Sequence, residues 1–297
     1  MAKIPYKKPA LTSKEQVSQL KSRGMFFDDE DAAEKFLSAV NYYRLSGYWL
    51  PFEISRDPHR FKPRTTFKQV VDLYRFDKGL RSLLFEGISI FEVSFRARWS
   101  YQMGFDYGSH SYLDPKYASD FSKWIDNMKN VQTEYSRSKE IFVKHFQTKY
   151  EESFPPIWVV CELFSLGTIS CWYKNMRGGK TKDEIARFYG VDASLLESWI
   201  HCISVLRNHC AHQSRIVNKV FSVVPTKPKS LKLEITSLWS LSKKAYDLIL
   251  LLVYLNSKLS IKSEWNEKIK AFLMVNAKAA EKWLDFPSGW TSESLWN

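Results

Sequence analysis

Apolar side chains along this chain recur three and four residues apart, the period of an α-helix, and seldom alternate. The longest series is Leu80, Leu84, Ile88, Phe91, Phe95 and Trp99, which predicts a long helix beginning near Phe67 with a broad core face. Thr12 and Glu15 have the spacing of a capping box, and the helix they open should stop near Gly24. Four consecutive acids, 28–31, open a second helix that runs toward the stretch from Asn41 to Trp49. Further helices are predicted over 119–135, 139–149, 157–176, 194–215, 237–258 and 263–282. Thr181 with Glu184, after Gly178-Gly179, should cap one more. Gly104, Gly108 and Asp114-Pro115 mark a loop, and Pro225 and Pro228 put a loop or short hairpin into 220–235. Among Pro51, Pro58 and Pro63 a small hairpin fits around 52–54 and 60–62.

The expected class is therefore all-α with at most minor β-structure. With no repeat and no long linker, the chain reads as a single helical domain. It divides into an N-terminal helical extension (1–60), a helical core (61–285) and an aromatic tail (286–297).

One predicted helix is unlike the rest. On a wheel of 194–215, Leu195, Leu196, Trp199, Ile200, Ile203, Leu206 and Cys210 share an apolar stripe. His201, Asn208, His212 and Arg215 fall on the opposite stripe, with Arg207 at its margin and Val205 interrupting it. A polar helix face is often no more than a solvated one. Here, however, three of the chain's six His lie between 201 and 212. Imidazole moves protons near neutral pH, and guanidinium holds a phosphate that gains charge. Both are what RNA cleavage by internal attack requires. The substrate's own 2′-hydroxyl is the nucleophile, so no metal or other cofactor is called for.

Composition narrows the setting. The 297 residues are 44% hydrophobic and 15% aromatic, enough for a real core. Formal charge is +12, with a pI near 9.3, which suits a polyanionic partner. Cys161, Cys171, Cys202 and Cys210 form no C-x-x-C pair, and the first residues lack the apolar run of a signal peptide. Free thiols in a reducing cytoplasm are the expectation. The longest apolar run, Leu248 to Leu255, is far short of the ~20 residues that span a bilayer, so no membrane partner is expected.

Several stretches resemble the Abi family of bacterial abortive-infection proteins, of the AbiD/AbiF type. They are Asn41-Tyr42-Tyr43-Arg44-Leu45-Ser46-Gly47-Tyr48, Leu73 to Arg81, Ile90 to Arg96, Pro155 to Glu162, Arg207 to Asn218, and Phe286-Pro287-Ser288-Gly289-Trp290 with Leu295-Trp296. That family resembles a branch of the HEPN superfamily, many of whose members are ribonucleases with an Arg, a polar residue, three more residues and a His. Arg207, Asn208 and His212 match that pattern. The resemblance implies a HEPN-like helical bundle that dimerises, so that the motifs of two subunits meet in one cleft. It implies phage defence or toxin–antitoxin biology, with a small non-coding RNA as a partner of some members. Many relatives carry a second His directly after the motif His, where this chain has Gln213.

On this reading His212 is the general base or acid, Arg207 stabilises the phosphorane, and Asn208 orients the His or contacts phosphate. Two subunits would supply one imidazole as base and one as acid. Products would end in a 2′,3′-cyclic phosphate and a 5′-hydroxyl. His209, Arg215 and the loop lysines Lys227, Lys229 and Lys232 are candidates for holding the RNA backbone.

Rival readings stand beside it: a non-catalytic RNA-binding protein holding a small RNA, or a purely structural partner in a toxin–antitoxin pair. His209 and His212, at i, i+3, could share zinc, but Cys202 and Cys210 point the other way on the wheel. Glu92 and Arg96, at i, i+4, read as a structural ion pair, and Glu162 is a candidate partner for Arg98. Tyr42, Tyr43, Tyr48 and Trp49 could stack on bases, though alternation with Leu45 and Leu50 favours a core.

Overall fold

The computed structural model describes residues 5, 9–229, 235–259, 264–293 and 295–296. They form an all-α protein with one small β-hairpin. By contacts the chain separates into two compact units, 1–79 and 80–297.

The first unit opens with α1 (Ser13–Ser22), whose Thr12–Glu15 capping box is formed in both directions. Asp29 caps α2 (Glu30–Ala39) by accepting from the Ala32 N–H at 2.9 Å. Asn41 caps α3 (Tyr42–Trp49) through its side-chain oxygen. Strands β1 (Glu53–Arg56) and β2 (His59–Phe61) pair antiparallel, with a register shift between Glu53 and Ser55. The hairpin thus sits a residue or two from its expected place. Leu20, Leu45, Tyr48, Trp49 and Val70 are buried in this unit. The Tyr48 hydroxyl donates to the fully buried Asp77 at 2.6 Å.

Helix α4 (Phe67–Tyr107) begins in the first unit and continues into the second. Its series Leu80, Leu84, Ile88, Phe91, Phe95 and Trp99 is wholly buried, as the spacing predicts. The second unit goes on with α5 (Phe121–Arg137), α6 (Ile141–Lys149), α7 (Ile157–Val160), α8 (Leu166–Asn175) and α9 (Lys180–Phe188). It ends with α10 (Ala193–Ala211), α11 (Tyr246–Ser257), α12 (Trp265–Val275) and α13 (Ala277–Leu284). Every residue of α11 from Tyr246 to Asn256 is buried, as expected of a helix apolar all round. Among the described residues no helix is long and apolar enough to cross a membrane. Gly87 is required by close approach: a Cβ there would fall inside the Trp265 ring, whose Nε1 donates to the Leu83 carbonyl at 2.6 Å.

Several predicted helices are interrupted, each where a polar side chain competes for the backbone. The 157–176 segment breaks at Phe164-Ser165, because the Ser165 hydroxyl accepts from the Thr168 N–H and starts a new helix. The 237–258 segment becomes helical only at Tyr246. Before it, the backbone N–H and hydroxyl of Ser240 both donate to buried Asp247 at 3.1 Å, and Ser242 N–H donates to Ser240. Asn276 splits the last helix by donating its side-chain amide to the Phe272 carbonyl. Thr181 does not cap α9, which starts after Gly179. Its hydroxyl instead lies 2.8 Å from Asp106 and 2.7 Å from the Tyr107 hydroxyl. Residues 220–229 are irregular, with no strand.

Candidate functional site

Asp192 caps α10 by accepting from the Leu195 N–H at 2.9 Å. All seven residues of the expected apolar stripe, from Leu195 to Cys210, are buried. This greasy back fixes the rotation of the helix and turns Asn208 and His212 outward, where both are exposed. His201 is exposed too, about two turns before Asn208.

The helix ends at Ala211, sooner than the predicted 215. His212 is its C-cap, and its N–H donates to the Asn208 carbonyl at 3.0 Å. Gln213 then takes a left-handed conformation, φ 55°, which costs a residue with a Cβ about 1–3 kcal/mol. The turn is held by Gln213 N–H to Cys210 and Ser214 N–H to His209. Ile216 and Val217 are buried beyond it, and the Asn218 N–H donates to the Trp283 carbonyl at 2.8 Å. Arg215 therefore leaves the helix and does not share the stripe of Asn208. It is half-buried after the turn.

Arg207 lies at the edge of the polar face with 31% of its side chain exposed. Its Nε is 3.9 Å from Oε2 of Glu92 on α4, too far for a hydrogen bond, and that Nε is buried with no acceptor. The other Glu92 oxygen accepts from Arg96 Nη2 at 2.6 Å. Arg96 Nη1 in turn donates to Glu162 at 3.2 Å. Two guanidinium groups and two carboxylates thus alternate across α4, α10 and the turn after α7. The i, i+4 pair of Glu92 and Arg96 is present, but it belongs to a longer chain of charges that reaches the motif. Sequence reasoning missed that link. Arg98 does not pair with Glu162. It donates to Gln102 and lies over the rings of Tyr101 and Phe188.

His209 is half-buried, its ring edge-on to Phe221 at 5.6 Å. Burial pushes its pKa below the ordinary value, and the charges of Lys219 and His212 push the same way. Lys219 sits over the same Phe221 ring at 6.0 Å. Neither Lys219 nor Phe221 was singled out from sequence.

Lys227 and Lys229 are exposed. Their loop is tied to the earlier part of α10: Trp199 Nε1 donates to the Thr226 carbonyl, and Thr226 N–H donates to Ser198, each at 2.9 Å. At 1.5 Å per residue those anchors lie roughly 12 Å along the helix from Arg207. Lys232 lies outside the described residues.

Cys202 and Cys210 are buried, and burial pushes both thiols up to about 12. They face the core while His201 and His212 face outward, so zinc shared among them has no geometry. No cluster of three or more His, Cys, Asp or Glu suited to a metal occurs among the described residues.

Fold and site together define an all-α protein in which the C-terminal end of α10 carries a part-exposed Arg and an exposed Asn and His. The chain belongs to the family of Abi-like proteins, whose model matches residues 35–218. Membership points to abortive infection. The matched span holds the Arg207–Asn218 segment and both stretches that supply Glu92, Arg96 and Glu162. Searches of curated proteins and of solved structures gave no match.

Proposed function

We propose that this protein binds RNA at the C-terminal end of α10 and cleaves it there as a metal-independent endoribonuclease of the HEPN type in abortive infection. The reading rests above all on Arg207. A guanidinium carries five N–H donors, and this one has a buried Nε with no acceptor, on the same helix end as exposed Asn208 and His212. The Nε atoms of Arg96 and Arg98 are likewise buried without an acceptor, so what sets Arg207 apart is its place beside exposed Asn208 and His212 on one helix end.

In the reaction the 2′-hydroxyl loses its proton to an imidazole and attacks the adjacent phosphorus. The 5′-oxygen leaves with a proton from an acid, giving a 2′,3′-cyclic phosphate and a 5′-hydroxyl. His212 serves as one of these proton-transfer groups, and Arg207 neutralises the charge gained by the phosphoryl oxygens. Asn208 contacts phosphate or orients the imidazole. A second His212 from a symmetric copy supplies the other group. Exposed Val93, next to Glu92 in α4, gives that copy an apolar contact.

Wild type, His212→Ala and Arg207→Ala should be compared for RNA cleavage in EDTA and for RNA retention. Cleavage lost with retention kept in His212→Ala is the expected result. Tight RNA capture by a wild type that never cleaves would replace the enzyme with a ribonucleoprotein scaffold. Absence of any bound nucleic acid would end both readings.

A further inference from the structure

Glu92 is 9% exposed, and its two oxygens face two different cations. One oxygen is engaged by Arg96 at 2.6 Å, while the other stands 3.9 Å from Arg207, inside ion-pair range and outside hydrogen-bond range. Arg96 has a second carboxylate in Glu162, 54% exposed, and so is neutralised even without Glu92. Arg207 has no other ion-pair partner among the described residues. The two pairs are therefore unequal: Arg96 clamps Glu92 in place, and Glu92 only leans on Arg207.

We infer that Glu92 is a positioning residue that orients Arg207 and yields it to a phosphate. The loose carboxylate keeps the Nε edge of the guanidinium turned inward. A phosphate oxygen offers the shorter, charge-assisted contact that Glu92 does not make. The cluster of Arg96, Arg207, Glu92 and Glu162 is formally neutral, so an arriving phosphate competes with a carboxylate for one cation. This deepens the proposed function, because it rests on Arg207 as the phosphate contact.

The test is a four-way comparison of wild type, Glu92→Gln, Arg207→Ala and the double variant. Each is titrated with a short single-stranded RNA lacking a cleavable 2′-hydroxyl. Glu92→Gln keeps the shape and an acceptor for Arg96 while removing the competing charge. It should bind RNA about three- to tenfold more tightly, by the Coulomb attraction restored to one part-exposed cation. That gain should vanish in the Arg207→Ala background. On cleavable RNA, Glu92→Gln should show a lower kcat with an unchanged or lower KM, and Glu92→Asp should recover part of the kcat. Unchanged or weaker affinity in a folded Glu92→Gln, or a gain that persists without Arg207, overturns the inference.

The Nε–Hε NMR signal of Arg207 reads the pairing without RNA. It should shift between wild type and Glu92→Gln, whereas coincident signals would mean that the two groups are not coupled. The affinity and NMR arms need no turnover, so the role of Glu92 can fail while the ribonuclease reading stands, and the reverse.

Discussion

Two stretches of this chain carry side chains of the kind that recognise nucleic acid, and the fold treats them in opposite ways. In Asn41–Trp49 every aromatic but Tyr43 is consumed by packing and pairing. Trp49 is buried, Tyr48 donates to buried Asp77, and Tyr42 both accepts from Arg23 at 2.9 Å and donates to Gln19 at 3.0 Å. In Arg207–His212 the polar groups are left open. Arg207 has a long contact in place of a hydrogen bond, and Asn208 and His212 face outward. Residue type alone does not separate the two. What separates them is whether each side chain is already packed or paired inside the fold or still faces solvent.

The sharpest way to break this contrast is to remove the imidazole. His212→Ala should cut RNA cleavage by at least about a hundredfold, the usual contribution of a proton-transfer group, with little change in melting temperature. Gel assays of end-labelled RNA in EDTA read the rate, and thermal denaturation reads the fold. Activity retained within a few-fold would remove His212 from the site. The matching change in the first stretch should do the reverse. Tyr48→Phe takes the donor from a buried carboxylate and should cost about 1–3 kcal/mol in denaturant unfolding, while RNA affinity stays put. An RNA-binding defect at full stability would mean that the aromatic stretch is a binding surface after all.

How much of this was legible beforehand follows from the range of the forces involved. The stripe from Leu80 to Trp99 and the back of α10 could be read because burial follows helical period, and period is a local property. The Thr12–Glu15 box could be read because both halves lie within one turn. The ends and breaks of helices were harder. The stop at Ala211 is set by a left-handed Gln213 and by a backbone bond from Asn218 to Trp283, 65 residues later in sequence, and no window around 211 contains that partner. Loss of those residues from the helix is what removed Arg215 from the polar stripe. The charge chain shows the same limit. Glu92–Arg96 is an i, i+4 pair visible on any wheel, but its extension to Arg207 and Glu162 depends on tertiary packing. Glu162 does not pair with Arg98 because Arg96, two residues earlier and about 200° round α4, is the cation that faces it. The lysine loop follows the motif helix in sequence, and Thr226 ties it to the earlier part of that helix, an attachment that only tertiary packing reveals.

A smaller effect sharpens the picture of the open stretch. His209 is held toward the neutral form by burial against Phe221 and by the charges of Lys219 and His212, so its folded-state pKa lies below the ordinary 6.5. As pH falls, the unfolded chain takes up this proton first. The contribution is therefore fully present above pH 6.5 and is lost as pH falls from there toward the lower folded-state value. His209→Gln should flatten the pH dependence of unfolding free energy on the acid side by less than about 1 kcal/mol, because solvent screens a half-exposed ring. Urea unfolding of both proteins at pH 5.5 and 7.5 measures it. A steeper acid loss in the variant would show that His209 gains, rather than loses, stability on protonation.

The smallest effect bears on the one aromatic of the first stretch that packing leaves out. Tyr43 is 86% exposed, while its neighbours Tyr48 and Trp49 are at 1% and 2%. Being so exposed, it contributes little to the core, and Tyr43→Ala should change unfolding free energy by no more than about 0.5 kcal/mol. Its effect on RNA is the informative part. A stacked base is worth about 1–3 kcal/mol on removal of its aromatic platform. If recognition is confined to the end of α10, affinity for single-stranded RNA should be the same in both proteins within error. A five-fold or greater loss, read by fluorescence anisotropy at fixed salt, would give the first unit a share in binding. The contrast would then hold for Tyr42, Tyr48 and Trp49 but not for the whole stretch, and exposure would have to be judged residue by residue within a motif.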